Sequence, residues 1–421
     1  MIRGRILCVT SNFPRWTGDS TTPFVLHLAQ DLQQLGWQID VLAPHAEGAA
    51  LRENFGGIRV ERFRYLWPSV LETLCYQGGA LINLRKNRVN YLKLPAFIAS
   101  ECLNLFLRLI ERKYDLLHSH WILPQGFTGI LAAGPFGIPH VVTAHGGDVF
   151  GLQGALLTKF KRFTLRHADA VTVNSSVTER AVTEILPALK KLHRIPMGVS
   201  TNGVKISESF EELRNRYRRE NGPFLIFVGR LVEEKGVEDL IRAVAILVPS
   251  LPDITALIIG EGQDRPYLED ITQTLGLSDR VVFTGWVRPD DVPAYLAAGD
   301  IFVGPSIQGS DGWIEAQGLT VIEAMVAKTP VISTRVGGIV DSVKHEETGL
   351  LVNERSPAEI AKAIERLVQE PLLADHLREQ GYKLAVNKFS RASSTKSFSA
   401  LFERMIQSKG SRRVVNRGWE R

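Results

Sequence analysis

FLIFVGRLVEEKG, at residues 224–236, decides the fold. Phe224–Val228 is a short unbroken apolar run, as expected of a strand covered on both faces in a parallel sheet. Gly229 follows and permits close backbone approach. Arg230, Lys235 and Gly236 come next. Doubly wound sheets bind ligands beyond the carboxyl ends of their strands. Arg230 can grip two phosphate oxygens there, and Lys235 supplies a point charge. The helix that opens near Gly236 adds partial positive charge. The stretch predicts an anion, a diphosphate being the best chemical fit.

The same alternation extends in both directions. Strands are expected at 6–10, 38–43, 115–119, 139–143 and 170–174, then again at 224–229, 256–260, 281–284, 301–304 and 330–333. Helices are expected at 24–35, 208–220, 236–248, 265–275, 320–327 and 357–369. Strand-then-helix alternation indicates parallel sheets with covering helices. The series restarts near residue 221, after the Pro/Gly-bearing IPMGV at 195–199. The expectation is therefore α/β: two doubly wound domains, 1–200 and 201–390, facing each other across a cleft. A third stretch, 391–421, is expected to form a helix at 392–407 that packs back across the domains, followed by a frayed basic tail.

Composition narrows the class. At 421 residues, 44% apolar and 23% charged, the chain is too long for one small core and too apolar for a disordered one. Cys8, Cys75 and Cys102 are too scattered for a disulfide framework or a zinc site, which fits a reducing compartment. No signal-peptide pattern opens the chain. Its longest apolar stretch, Leu94–Ile110, is interrupted by Glu101 and Arg108 and falls short of the about 20 residues a spanning helix needs. A cytoplasmic protein is expected.

Charge is uneven. Residues 1–200 hold 22 Lys and Arg against 14 Asp and Glu, residues 201–390 hold 20 against 29, and residues 391–421 hold 8 against 2. A basic amino-terminal half suits phosphates or an anionic membrane surface at the inner face of a membrane. The densest cluster, Arg85, Lys86, Arg88 and Lys93, leads into Leu94–Ile110. That is a membrane-surface pattern, although a core helix with a solvated start is the favoured reading. No finger, RNP or aromatic-interleaved basic stretch points to nucleic acid.

Further chemistry lies in DGWIEAQGLTVIEAM at 311–325. Gly318 opens a helix, so the amides of Gly318, Leu319 and Thr320 can receive phosphate oxygens. Glu323, one turn in, can accept hydrogen bonds from a ribose. Glu315, in the preceding loop, can reach a sugar held at the phosphate. In the first half, His145-Gly146-Gly147 follows the strand 139–143, exposing an imidazole that can hydrogen-bond a sugar hydroxyl. Asp148 is expected to cap the next helix rather than hold a metal. His118 reads as structural, whereas His120 and Trp121 can line an acceptor site. The loop 11–23 adds Arg15 and Trp16 as acceptor contacts and Gly18 as a point of backbone approach. No GxGxxG follows the first strand, and there is no Walker A, HExxH or GxSxG pattern, nor an Asp-x-Asp pair to chelate a metal diphosphate.

These residues resemble the family 4 glycosyltransferases. GRLVEEKG at 229–236, LIIGEGQDR at 257–265, EAQGLTVIEAMVAKTPVISTRVGG at 315–338 and ETGLLV at 347–352 match that family's carboxyl-terminal half. HSHW at 118–121 and TAHGGD at 143–148 match its first half. The resemblance covers nearly the whole chain. It implies a GT-B fold of two Rossmann-like domains and retaining transfer from a nucleotide sugar, with no cofactor and generally no chelated metal. On this chain it implies that Arg230, Lys235, Gly318, Leu319, Thr320, Glu323 and Gly18 bind the donor. Glu315 and His145 would act at the transferred sugar. Ala316-Gln317 and Ile339-Val340-Asp341 depart from the family's usual Gly-aromatic and Pro-Glu, and Gly18 stands alone where paired glycines are common. The expected function is transfer of a hexose to a saccharide or lipid-linked acceptor in bacterial envelope polysaccharide or glycolipid synthesis. A nucleotide-sugar epimerase of the same fold and a non-catalytic nucleotide-sugar-binding subunit are the alternatives.

Overall fold

The computed structural model describes residues 2–19, 23–76, 79–201, 209–310 and 312–417. Ser20–Thr22 of the first loop, Glu208, Asp311 and the last four residues of the basic tail therefore lie outside the described residues. The chain divides into two compact units, Met1–Gly198 with Arg391–Arg421, and Val199–Ser390.

The first unit is built on eight strands: β1 Gly4–Val9, β2 Trp37–Pro44, β3 Arg52–Phe55, β4 Ile58–Phe63, β5 Leu116–His120, β6 His140–Ala144, β7 Ala170–Val173 and β8 Leu192–Arg194. Their order is β3-β4-β2-β1-β5-β6-β7-β8. All neighbours are parallel except the hairpin β3–β4. Strand order reverses beside β1, so the carboxyl ends of β1 and β5 flank a topological switch point, the usual ligand position in such sheets. The hairpin was not expected, because RENF and IRVERF carry charges at positions that read as surface. The buried charges among them are paired: Glu61 is held by Arg108 and Arg112, and Arg62 by Glu53 and the Pro14 carbonyl.

The second unit has six parallel strands: β9 Phe224–Val228, β10 Thr255–Ile259, β11 Val281–Gly285, β12 Ile301–Gly304, β13 Val331–Thr334 and β14 Leu350–Val352, in the order β11-β10-β9-β12-β13-β14. Leu225 and Phe227 enter one apolar cluster, and Phe224 and Ile226 enter another on the opposite face. This is why the run 224–228 carries no polar residue. The switch point falls between β9 and β12, which puts the loop after Val228 at the ligand-bearing edge. The expected helix 208–220 is the shorter Phe210–Tyr217, started by a capping box between Ser209 and Glu212. The helix Pro371–Phe389 was not anticipated, since only four of its nineteen residues are buried and its apolar spacing is weak.

After Ser390 the chain re-enters the first unit as the helix Arg391–Arg417. Arg391 pairs with Asp31, Trp37 Nε1 donates to Ser399 Oγ at 2.9 Å, and Lys409 pairs with Asp169. Among the described residues, no helix is long and apolar enough to cross a membrane.

Candidate active site

In the second unit, β9 runs into a single turn, Glu233–Lys235, closed by Gly236. Gly236 is left-handed (φ 62°), and a Cβ there would lie 2.0 Å from the Pro305 carbonyl oxygen. Glycine is thus obligatory, and it sets where Lys235 points. Lys235 Nζ reaches Glu315 Oε2 at 2.5 Å. The other carboxylate oxygen of Glu315 accepts the Gly318 amide at 3.1 Å and the Gln317 amide at 3.5 Å. Burial opposes ionisation of Glu315, but the Lys235 ammonium and these amides outweigh it and hold the carboxyl below its usual range. Trp313 lies 5.9 Å from Lys235 Nζ at the same place, and the Gly338 amide donates to the Glu315 carbonyl at 2.9 Å.

Gly318 is the left-handed residue (φ 76°) that starts the helix Leu319–Val326. Its own amide is taken by Glu315, whereas the amides of Leu319 and Thr320 have no acceptor among the described residues. Those two free donors at a helix start are what an anion needs. Glu323 stands one turn into the helix, half-buried, with no hydrogen-bond partner among the described residues. Burial alone pushes its pKa up to about 7. Arg230 is exposed and unpaired among the described residues. The unit thus brings Lys235, Glu315 and Gly318 into direct contact and leaves the Leu319 and Thr320 amides, Glu323 and Arg230 with unused hydrogen-bonding capacity.

In the first unit the site is built of uncharged rings. His145 follows β6 and is half-buried against Phe24 and Trp121, with ring centroids 5.0 Å from each. Its Nε2 lies 2.9 Å from His120 Nδ1. Burial drives the pKa of His145 down to about 3, with His118 adding repulsion. His120 is also pushed well down, first by burial and then by His118 and His145. Both are neutral at physiological pH, so one ring nitrogen donates and the other accepts. His120 is 1% exposed. It lies beneath His145 rather than at a surface an acceptor can touch.

Asp148 sits inside the short helix Gly147–Phe150 and reaches back. Its carboxylate accepts the amides of Ile122 at 2.6 Å and of His145 and Gly146 at 3.1 Å each. It fixes the histidine loop instead of capping the helix start, which is held by Gly146. His118 Nε2 hydrogen-bonds Thr143 Oγ1 at 2.7 Å, and its ring packs on Phe398 and Phe402. The parallel register of β1 and β5 sets Cys8 beside His118, so Cys8, His118 and His120 bring ligand-capable atoms within 4.8 Å of one another. Sequence spacing hides this juxtaposition because Cys8 lies on β1, far along the chain from His118 and His120 on β5. The Cys8 thiol is pushed up to about 12 by burial, and it packs as a core residue.

In the loop after β1, Arg15 pairs with Asp19 at 2.8 Å and lies over the Trp16 ring at 4.3 Å. Trp16 is 43% exposed, and Gly18 is left-handed (φ 87°) with open space around it. Trp121 is half-buried and has a positive φ of 74°.

Residues 209–384 match the glycosyl transferases group 1 family, and residues 21–198 match the glycosyl transferase 4-like domain. A 2-deoxystreptamine glucosyltransferase of Streptomyces kanamyceticus is 32% identical over 278 residues, covering 61% of this chain and 69% of that protein. A GDP-mannose-dependent α-(1-6)-phosphatidylinositol monomannoside mannosyltransferase of Mycobacterium tuberculosis is 32% identical over 54% of this chain and 60% of that protein. Among solved structures, Anabaena HepE in complex with UDP-glucose superposes with a TM-score of 0.70 at 19% identity, covering 95% of this chain and 99% of that one. The fold is that of the GT-B glycosyltransferases.

Proposed function

This chain belongs to the group 1 glycosyl transferases and is a glycosyltransferase, and we propose that it moves a hexose with retention from a nucleotide sugar to a saccharide or lipid-linked acceptor in bacterial envelope polysaccharide or glycolipid synthesis. The observation that carries this reading is the cradle at the β9 switch point. Lys235 and Glu315 are joined there at 2.5 Å beside the free amides of Leu319 and Thr320. The relative that acts on a phosphatidylinositol mannoside supports a glycolipid acceptor, and the structural neighbour solved with UDP-glucose supports a nucleotide-sugar donor.

In this reading the donor diphosphate takes the amides of Leu319 and Thr320 and the side chains of Arg230 and Lys235. Gly18 lets the first loop approach it. Ribose hydroxyls donate to Glu323, which has no competing partner among the described residues. Glu315, kept ionised by Lys235, sits beside the anomeric carbon, where positive charge develops as the phosphate departs. His145, neutral, hydrogen-bonds the transferred sugar. The acceptor hydroxyl attacks from the face the nucleotide leaves, and the departing phosphate oxygen takes its proton. Stabilisation of the leaving diphosphate then supplies most of the rate, as preorganised donors do for any developing anion. No metal enters this scheme, since cations and amides do the work of neutralising the phosphates. Arg15, Trp16 and Trp121 contribute acceptor contacts.

Thermal shifts with UDP, GDP and ADP and their common hexose conjugates test the donor site, on wild type and Glu323→Ala. A ligand bound only by the folded state raises stability by about RT ln(1 + [L]/Kd). A shift with one nucleotide that shrinks in Glu323→Ala is expected. The absence of a shift with any of them would overturn the donor site. The anomeric configuration of the product, read by NMR, tests retention.

A further inference from the structure

The helix Leu94–Glu111 buries Phe97, Glu101, Leu105 and Leu109, the face a core helix should bury. Its opposite face is apolar too. Leu103, Leu107 and Ile110 are 57%, 42% and 59% exposed. Their spacing of four and three residues stands them in one row along the helix. Phe106 lies beside the row, and exposed Leu92, Pro95 and Ala99 carry it back toward the helix start. A surface helix normally turns charged residues outward, and a continuous exposed apolar row marks an interaction surface. The helix that carries this row has eighteen residues and is about 27 Å long.

Charge selects what covers it. Exposed Lys86 and Arg88 and half-buried Lys93 lead into the helix, and exposed Lys113 follows it. Of the exposed acids near its end, Glu111 is paired with Arg108, and Asp115 accepts the Arg5 amide at 2.7 Å. The basic end is anchored at the ligand-bearing edge of the sheet. Asn12, in the loop after β1, accepts the Tyr76 amide at 3.0 Å, Asn83 donates to the Tyr76 carbonyl at 2.9 Å, and Asn90 donates to the Asn83 carbonyl at 2.9 Å. A row of apolar side chains flanked by cations is the arrangement of helices that lie in the headgroup region of anionic bilayers.

We propose that the outer face of Leu94–Glu111, with its basic lead-in, lies on the surface of an anionic lipid bilayer and holds the carboxyl edge of the first sheet beside it. The helix is too interrupted to span the bilayer, so it rests on it. Delivery of a lipid-linked acceptor to that edge rests on the function proposed above, whereas bilayer binding itself does not.

Flotation of the full chain with vesicles of phosphatidylcholine, and with vesicles enriched in phosphatidylglycerol, tests this. Binding to the anionic vesicles is expected to be at least about tenfold tighter and to weaken with salt. The double variant Leu103→Glu with Leu107→Glu alters only exposed positions. It should lose flotation while keeping its thermal melt and its nucleotide shift. Lys86→Glu with Arg88→Glu should lose the anionic preference. No flotation with either vesicle would overturn the proposal, as would flotation unchanged in the leucine variant. A dimer in sedimentation that the leucine variant abolishes would assign the row to a second copy and overturn it as well. A failed nucleotide shift with flotation intact would refute the donor site and leave the bilayer surface standing.

Discussion

The carboxyl edges of the two sheets are built from opposite materials. At β9 a lysine and a glutamate neutralise each other, and an arginine and two amides are left open. At β5 and β6 the groups are imidazoles driven neutral by burial and stacked among aromatic rings. One edge is prepared for a charged ligand. The other offers directional hydrogen bonds without charge, as suits sugar hydroxyls. The same parallel-sheet frame therefore hosts two chemistries, set by the residues at the strand ends and in the loops and helix starts that follow them.

The contrast breaks most severely at Glu315. We expect Glu315→Gln to lower kcat about 10²–10³-fold, the usual loss when one preorganised charge at a developing transition state is removed. Nucleoside diphosphate affinity should hold or tighten, because Lys235 is no longer shared with the carboxylate. Turnover and calorimetric titration check both. Weakened nucleotide binding with unchanged kcat would make Glu315 a structural partner of Lys235 only.

The uncharged edge should yield smaller losses. We expect His145→Ala to lower kcat about 10²-fold. His120→Phe keeps a ring beneath His145 but removes the nitrogen 2.9 Å from it. We expect a loss of about tenfold in kcat with KM unchanged, the signature of a positioning residue. His120→Asn, which retains a donor, should recover part of it. Equal loss in kcat and affinity for His120→Phe would instead indicate collapse of the loop, which a melting curve would register.

A third effect separates the two glutamates of the charged edge. Glu315 is ionised by its lysine, whereas Glu323 has no such partner and titrates near pH 7. If ribose hydroxyls favour the ionised form, nucleotide binding strengthens as pH rises from 6 to 8. The gain is at most about tenfold, as the competent fraction climbs toward one. Titrations across that range, with Glu323→Gln as the pH-insensitive control, measure it.

Much of the second unit was legible in the sequence because β9 and β12, at its switch point, are short apolar runs followed by charged or glycine-bearing loops. Arg230, Lys235, Glu315 and Glu323 could be named because their spacing about Gly236 and Gly318 carries the helix starts with it. The hairpin β3–β4 was not legible, since its buried Glu61 and Arg62 look exposed until Arg108, Arg112 and Glu53 are brought to them. The place of His120 was hidden for a related reason: a residue at a strand end reads as ligand-facing until the ring stacked over it is seen. The helix Leu94–Glu111 was read as a choice between core and surface, whereas it is apolar on both faces.

The last comparison concerns Glu101 and is read in stability rather than in turnover; it shows what an acid does in the first unit without a cation. It is fully buried, and burial lifts its pKa to about 8, partly offset by hydrogen bonds from Gln125 at 3.0 Å and Thr128 at 3.2 Å. At pH 7 it is therefore mostly protonated, unlike Glu315. Its folded-state value lies above the ordinary carboxylate range, so the folded chain holds a proton that the unfolded chain has released. Stability should then fall as pH rises from the ordinary carboxylate range toward about 8, at no more than about 1.4 kcal/mol per pH unit from this group. Glu101→Gln removes that dependence and is nearly isosteric. Its melting temperature should sit close to wild type at pH 5 and exceed it at pH 8. The opposite order, with the variant less stable at pH 8, would mean that Glu101 is held charged in the core and that the two units treat their buried acids alike.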